Sequence, residues 1–264
     1  MPASVTVDFA SFADISAAGP AARAGAKGED GATALIVFAG DDLAMGARTA
    51  DLVAPALPAI QRAARASRFK GKSGSALELL APQGLGWDRL IVLGAAPKAD
   101  DGAKKADAPD FANIGGSAAG KLKGATRAAI VLDLPTAPAD AAAAAADLAL
   151  GAVLRAYKFD LYRTKKKDDS DKDAPFALTI AVSDPAAARA AHAPRAGLAE
   201  GVIIARNLVN EPPNVLYPEE FARRAAELDK LGVEIEILDK KAMTDLGMGA
   251  LLGVGQGSVR ESRI

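Results

Sequence analysis

Cysteine is absent from the 264-residue chain, histidine occurs once, and aromatic residues make up only 5% of it. Without cysteine there can be no disulfide framework, thiolate nucleophile, Cys-ligated zinc or iron–sulfur cluster. A Ser-His-Asp triad would have to use His192, and a zinc site needing two imidazoles cannot be built from this chain. Any metal chemistry must rest on carboxylates, water and an amine, a donor set that favours hard or borderline divalent ions. An excess of one charge is missing too. Lys+Arg 32 against Asp+Glu 33 leaves a net charge of -1, which argues against a strongly basic nucleic-acid binder. The opening Met1-Pro2-Ala3-Ser4-Val5-Thr6-Val7-Asp8 has neither a basic nor an apolar leader segment. The most apolar stretch, residues 141–154, is mostly alanine, contains Asp147 and ends at Arg155, too short to span a bilayer. A soluble cytoplasmic protein without a membrane partner is the default expectation.

Small residues are abundant instead: 63 Ala and 25 Gly. Alanine has the best helix propensity, and its short side chain lets a helix lie close on a sheet. Short β-branched or leucine-rich runs at 5–9, 35–39, 76–80, 90–93, 129–132 and 178–182 read as strands. Most are near-continuous apolar runs bounded by Gly, Asp or Pro, as expected of strands covered on both faces. Alanine-rich windows at 49–67, 111–122, 140–157 and 186–209 read as helices. Strands alternating with helices of this length predict an α/β layered domain with a parallel or mixed sheet. The charge cluster Lys165-Lys166-Lys167-Asp168-Asp169-Ser170-Asp171-Lys172-Asp173 reads as a solvated loop.

The composition shifts near Ala186. Residues 186–209 are expected to form one long helix, interrupted or kinked at Pro194, that stops at Asn210-Glu211-Pro212-Pro213-Asn214. Three parts are therefore expected: an amino-terminal domain over 1–185, a linker helix over 186–210, and the start of a second domain over 211–264. In the second domain Pro218 opens a helix whose Phe221, Ala225 and Leu228 form an apolar stripe. Val233, Ile235 and Ile237 alternate with Glu234 and Glu236, the pattern of a half-exposed strand, and Asp239 is placed to cap a helix from Lys240 to Gly247. One helix, one strand, one helix and a glycine-rich turn cannot bury a core, so this domain reads as cut off.

Several segments invite a chemical reading. Gly115-Gly116-Ser117-Ala118-Ala119-Gly120-Lys121-Leu122 has nearly the phosphate-loop spacing, but Leu122 stands where a hydroxyl should hold magnesium and no buried strand precedes it. A helix with its small residues facing the sheet is the better reading. Gly253-Val254-Gly255-Gln256-Gly257-Ser258 could cradle an anion, yet follows no strand and fits a tight helix-to-strand turn better. His192 has no Ser or Asp placed beside it, and the pairs Asp41-Asp42 and Asp100-Asp101 suit turns better than acid–base dyads. No catalytic, cofactor-binding or metal-ligating residue is assigned within 1–264.

Three segments carry a family resemblance. They are Leu150-Gly151-Ala152-Val153-Leu154-Arg155-Ala156-Tyr157-Lys158-Phe159-Asp160-Leu161-Tyr162, then Ala205-Arg206-Asn207-Leu208-Val209-Asn210-Glu211-Pro212-Pro213-Asn214 with Tyr217-Pro218-Glu219-Glu220-Phe221-Ala222, and Leu246-Gly247-Met248-Gly249-Ala250-Leu251-Leu252-Gly253-Val254-Gly255-Gln256-Gly257-Ser258. In this order and spacing they resemble the leucyl (cytosol) aminopeptidase family of hexameric two-metal exopeptidases. One departure is Ser262, where the family usually has proline. The resemblance implies an amino-terminal macro-like mixed-sheet α/β domain, a linker helix, and the truncated start of an α/β metallo-aminopeptidase catalytic domain. It also implies peptide substrates, a homo-hexamer, and two divalent ions (Mn or Zn) whose ligands lie in segments that do not occur in 1–264. The chain alone is then expected to bind no metal and to be inactive. A non-catalytic macro-like module for nucleotides or ADP-ribose is the alternative, through the glycine-rich turns Leu93-Gly94-Ala95 and Asn113-Ile114-Gly115-Gly116. A complete, non-catalytic structural relative is a third possibility.

Overall fold

A computed structural model of the chain describes residues 5–20, 31–95, 109–164 and 176–264. Six strands form one sheet: β1 (Val5–Ser11), β2 (Ala32–Ala39), β3 (Ala76–Leu80), β4 (Arg89–Gly94), β5 (Ala125–Val131) and β6 (Phe176–Val182). Their order is β1-β6-β5-β2-β4-β3, parallel throughout except for the antiparallel pair of β3 with β4. The sheet is therefore mixed, and each of its strands grows from one of the six apolar runs.

The interior strand β2 is covered on both sides because consecutive side chains point to opposite faces. Ala34, Ile36 and Phe38 enter one core, and Leu35, Val37 and Ala39 the other, all with no exposed surface. Helices α3 (Phe111–Gly120) and α4 (Ala141–Ala156) close the first face through Ala118, Ala145, Leu148 and Ala149. Helices α1 (Ala47–Val53) and α2 (Leu57–Ser67) close the second through Val53, Ile60 and Ala64, with Trp87 beside them. The indole Nε1 of Trp87 donates to the Ser16 carbonyl at 2.9 Å. The single helix expected over 49–67 is in fact two, separated by a 3-10 turn at Ala54–Ala56. Pro55 and Pro58 stand in the first turns of the 3-10 segment and of α2, where a residue without an N–H leaves no helical hydrogen bond unmade.

Glycine decides how α3 meets α4. A Cβ on Gly115 would stand 2.0 Å from the Leu148 carbonyl oxygen, and one on Gly151 would stand 1.8 Å from that of Ala112. The helices touch backbone to backbone, so Gly115 faces α4 and Gly151 faces α3, while Ala118 and Ala119 supply the core; the expectation that the small residues of α3 face the sheet holds for the alanines and not for Gly115. Aspartates start the helices: Asp110 accepts from the Asn113 N–H at 3.0 Å, Asp140 from Ala143 at 2.8 Å and Asp184 from Ala187 at 3.0 Å.

Helix α5 (Pro185–Asn210) runs through Pro194 without interruption. Arg189 pairs with Asp8 at 3.0 Å and also donates to the Phe9 carbonyl, while Arg195 pairs with Asp147 of α4. The chain divides into two compact units, Met1–Ile203 and Ile204–Ile264, with the division inside α5. The second unit contains α6 (Pro218–Ala226), a 3-10 turn at Glu227–Leu231, α7 (Lys240–Asp245) and α8 (Gly249–Val254). Asp239 caps α7 through the Ala242 N–H at 2.8 Å, as its position predicts. Residues 233–237, expected to be a strand, have no ladder partner and form no strand, because an extended segment needs a neighbour to satisfy its backbone.

The glycine contacts predict opposite outcomes for one chemical change. Gly115→Ala or Gly151→Ala should lower stability by at least about 1–3 kcal/mol, because a backbone carbonyl must move. Gly197→Ala, in α5 with nothing within 4 Å of the new methyl, should raise it by about 0.5–1 kcal/mol. Urea unfolding followed by fluorescence of buried Trp87 measures both.

Candidate functional site

In an α/β sheet the natural ligand crevice lies beyond the carboxyl ends of parallel strands, where neighbouring strands send their connections to opposite faces. Here β2, followed by α1, meets that condition with both parallel neighbours, β5 followed by α4 and β4 followed by α3, and the described residues show most at the β5 side. The protein's own groups fill that side. The Asp133 carboxylate accepts the Thr49 N–H at 2.8 Å, and the Thr49 hydroxyl donates to the Asp133 carbonyl at 3.2 Å. A Cβ on Gly46 would meet that carboxylate at 2.3 Å, and one on Gly40 would meet the Pro135 ring at 3.3 Å. Thus a carboxylate of the chain itself stands at the first turn of α1, where a nucleotide-binding fold would seat a phosphate. Sequence reading missed Asp133; a lone Asp just after an apolar strand is its only signal. Two successive non-glycine residues of this loop, Asp42 and Leu43, are left-handed at φ 52° and 62°, a conformation that costs side chains free energy.

The glycine-rich segments fare no better as cradles. A Cβ on Gly94 would lie 2.0 Å from the Lys72 carbonyl oxygen, so that glycine serves packing. Asn113, Ile114, Gly115 and Gly116, a glycine-rich turn only in the alternative ligand-binding reading, lie inside α3, in the helix expected over 111–122 and started by Asp110 just before them. Gly253 and Val254, expected in a turn, close α8 instead, and only residues 255–257 turn. Asp41 and Asp42 are exposed in a short 3-10 turn, and Asp100-Asp101 and the cluster at 165–173 lie outside the described residues. An open groove lined by Ala32, Glu78, Leu80, Arg89, Lys123 and Gly124 sits at the opposite, amino-terminal end of β2 and β4. Its guanidinium is committed: Arg89 binds Glu78 at 2.7 Å and the carbonyls of Lys121 and Lys123 at 2.6 and 3.0 Å.

His192 is a packing residue. Its ring meets Phe9 edge-on with centroids 5.4 Å apart, and its buried Nδ1 has no hydrogen-bond partner. Burial, with a smaller contribution from the Arg195 charge, holds its pKa below the ordinary imidazole value, so the ring is kept neutral. Among the described residues no three His, Asp or Glu side chains gather closely enough to hold a metal ion. Among the described residues the carboxylates do not assemble a two-metal centre.

The segments that carry the resemblance are more ordered than their exposure suggests. Gly151 is the close contact of α4 with α3, and just beyond α4 the Phe159 and Tyr162 rings lie 5.8 Å apart. Around the double proline, the Pro212 carbonyl accepts the N–H groups of Val215 and Leu216, both at 2.9 Å. Glu211, with only 7% of its side chain exposed, pairs with Arg224 at 3.1 Å, and Arg224 also reaches Glu220 at 2.8 Å. Hydrogen bonds from Arg223 and Arg224 hold the Glu220 carboxyl down to about 2. The Arg260 guanidinium stacks over the Tyr217 ring at 4.0 Å, which joins the second segment to residues just past the third.

Comparison with known proteins gives this architecture its context. Residues 34–166 match the profile described as the cytosol aminopeptidase family, N-terminal domain, and residues 203–264 match that family's catalytic domain. A probable cytosol aminopeptidase of Rhodopseudomonas palustris is 54% identical over 230 residues, which cover 87% of this chain and 45% of the relative. One from Methylobacterium radiotolerans is 50% identical over 247 residues, covering 93% and 48%. Among solved structures, a K354E mutant of tomato leucine aminopeptidase shares the fold with TM-score 0.71 and 21% identity, over 98% of this chain and 48% of that one. The bottromycin maturation enzyme BotP aligns with TM-score 0.64 and 25% identity over 88% and 45%. The class is thus an amino-terminal α/β domain followed by the opening of a peptidase catalytic domain. The chain belongs to the cytosol aminopeptidase family. It spans about half the length of the curated relatives it matches.

The neutral His192 makes stability depend on pH in one direction. Above about pH 6.5 both folded and unfolded chains carry a neutral ring; as pH falls through that value the unfolded chain takes up a proton that the folded one resists. This component of stability should therefore be full at neutral pH and decline on acidification toward the lowered folded pKa. His192→Leu should flatten the decline between about pH 7.5 and 5.5, read as the urea midpoint against pH.

Proposed function

We propose that the chain is the amino-terminal part of a leucyl-aminopeptidase-like exopeptidase that releases N-terminal residues from peptides, and that 1–264 alone is catalytically silent. The match of residues 203–264 to a catalytic domain carries the first half of this reading. The second half places the metal ligands in the part of such an enzyme that lies outside the 45% of the relative covered by this chain. In such an enzyme two divalent ions, manganese or zinc, would supply Lewis-acid activation of water and of the scissile carbonyl. A solved relative, BotP, was determined in complex with Mn. The ligands would come from outside 1–264, so no residue here is given a part in the bond-breaking step.

The work of 1–264 is then architectural: an α/β domain over 1–185, a linker helix over 186–210, and the first elements of the catalytic domain over 211–264. Arg189 and Arg195 tie the first half of that helix to β1 and α4. A homo-hexameric assembly, a cytoplasmic setting and peptide substrates complete the reading. The setting fits a chain without cysteine. No helix of the described residues is long and apolar enough to cross a membrane. A nucleotide-binding role draws no support from the filled crevice at Asp133.

The expected outcome for the purified 264-residue chain is no release of p-nitroaniline from leucine p-nitroanilide with added Mn²⁺ or Zn²⁺. Turnover that co-purifies with the monodisperse chain overturns the assignment of the active site to residues outside it.

A further inference from the structure

The chain is balanced in charge as a whole but not along its length. No Asp or Glu occurs between Asp51 and Glu78, and that stretch holds five cations: Arg62, Arg65, Arg68, Lys70 and Lys72. All five are exposed, and among the described residues none of them makes an ion pair or a side-chain hydrogen bond. Arg62 and Arg65 stand on the face of α2 opposite its buried Ile60 and Ala64. Arg68 follows at the end of the helix, left-handed at φ 56°, a position where glycine costs less. The chain then turns to the carboxyl ends of β2 and β4, where Gly71 packs on the Gly40 carbonyl and the Lys72 carbonyl packs on Gly94. A Cβ on Gly71 would lie 1.8 Å from the Gly40 oxygen, so the turn that carries both lysines is pinned in place. Attraction to the helix C-terminus accounts for Arg65 and Arg68 alone, because it fades within the last turn. Arg62, Lys70 and Lys72 lie outside that turn.

We propose that this row is a docking surface for inorganic polyphosphate, a flexible chain that carries a negative charge on every phosphate. Guanidinium groups suit phosphate oxygens because their planar forks donate two parallel hydrogen bonds. No large hydrophobic side chain between residues 52 and 77 is exposed, so the row has nothing to insert into a lipid surface. Groups that would hold bases are missing as well. Phe69, the one aromatic residue of the stretch, packs against the second core, and Gln61 is its one amide. A single strand of nucleic acid would find no ring to stack on. A duplex, stiff over about 150 base pairs, meets one limb of a row that changes direction at Arg68. A polyphosphate chain bends with the row and reaches all five cations. Asp41 and Asp42, exposed beside Gly40, set an acidic limit at its far end.

Fluorescence anisotropy of end-labelled long-chain polyphosphate, titrated with the 264-residue chain, tests the assignment. Arg62→Gln, Arg65→Gln, Arg68→Gln, Lys70→Gln and Lys72→Gln together should weaken binding by about tenfold or more and lower its log–log salt slope by about 3. Removing cations elsewhere, by Arg163→Gln with Lys240→Gln and Lys241→Gln, should change binding by less than about twofold. Asp41→Asn with Asp42→Asn should tighten it by about twofold, a gain that a damaged fold cannot mimic. Absence of binding at low salt, an equal loss in the second variant, or no gain in the third overturns the row as the site. A mixed-sequence DNA duplex bound as tightly per phosphate makes nucleic acid the partner and overturns polyphosphate. Polyglutamate bound as tightly per charge overturns it too, since bulk charge then suffices. Peptide hydrolysis enters none of these readouts, so the peptidase reading and this one fail separately.

Discussion

Everything in the first unit depends on covering both faces of β2. Its six consecutive residues from Ala34 to Ala39 have no exposed surface, and the four larger ones each contribute about 1.5–3 kcal/mol of burial. Neither α1–α2 nor α3–α4 could remain on the sheet if β2 were polar on its side. Two opposed cores also explain the composition. Helices must approach the sheet and each other closely, and alanine and glycine are the residues that allow it. At Gly115 and Gly151 that closeness reaches its limit, with one backbone resting on another.

The same demand for filling has shaped the end of the sheet where a ligand would be sought. Asp133 holds the first turn of α1, Pro135 lies on Gly40, and Gly71 packs against the Gly40 carbonyl. The loops interlock beside β2 and β5. This domain has the topology of a binding fold and the interior of a scaffold. The second unit is the reverse. It is well tied by polar and ring contacts, Glu211 to Arg224 and Arg260 to Tyr217, yet has almost no apolar interior. Ion pairs at such partly exposed positions orient elements more than they stabilise them. A unit held this way presents surfaces built to be covered.

Much of this was legible in the residue order. The runs of β2 and β4 are hydrophobic at nearly every position because those strands are covered on both faces, whereas the edge runs of β1 and β3 carry exposed Thr6 and Glu78 between their apolar residues. Helix starts were legible at Asp140 and Asp239, whose side chains must meet free N–H groups within a few residues. The glycine segments misled for a physical reason: spacing is the same whether a glycine admits a phosphate or another backbone, and only the neighbour distinguishes them. Asp133 was overlooked because its partner, Thr49, is 84 residues away. Residues 233–237 have the alternation of a strand, but alternation specifies only which face each side chain takes, and a ladder also needs a second backbone.

Local chemistry, then, settled what could be written without reference to distant residues. That includes the mixed α/β class, the aspartate caps, the exclusion of cysteine chemistry, and the ordered segments by which the family is recognised. Tertiary structure alone decided the strand order, the antiparallel turn of β3, the backbone contact of α3 with α4, and the closing of the β2–β5 crevice by Asp133. Each of these joins groups far apart in the chain. Their energies come from excluding water and matching shape across that separation, and neither is encoded in any short stretch of residues.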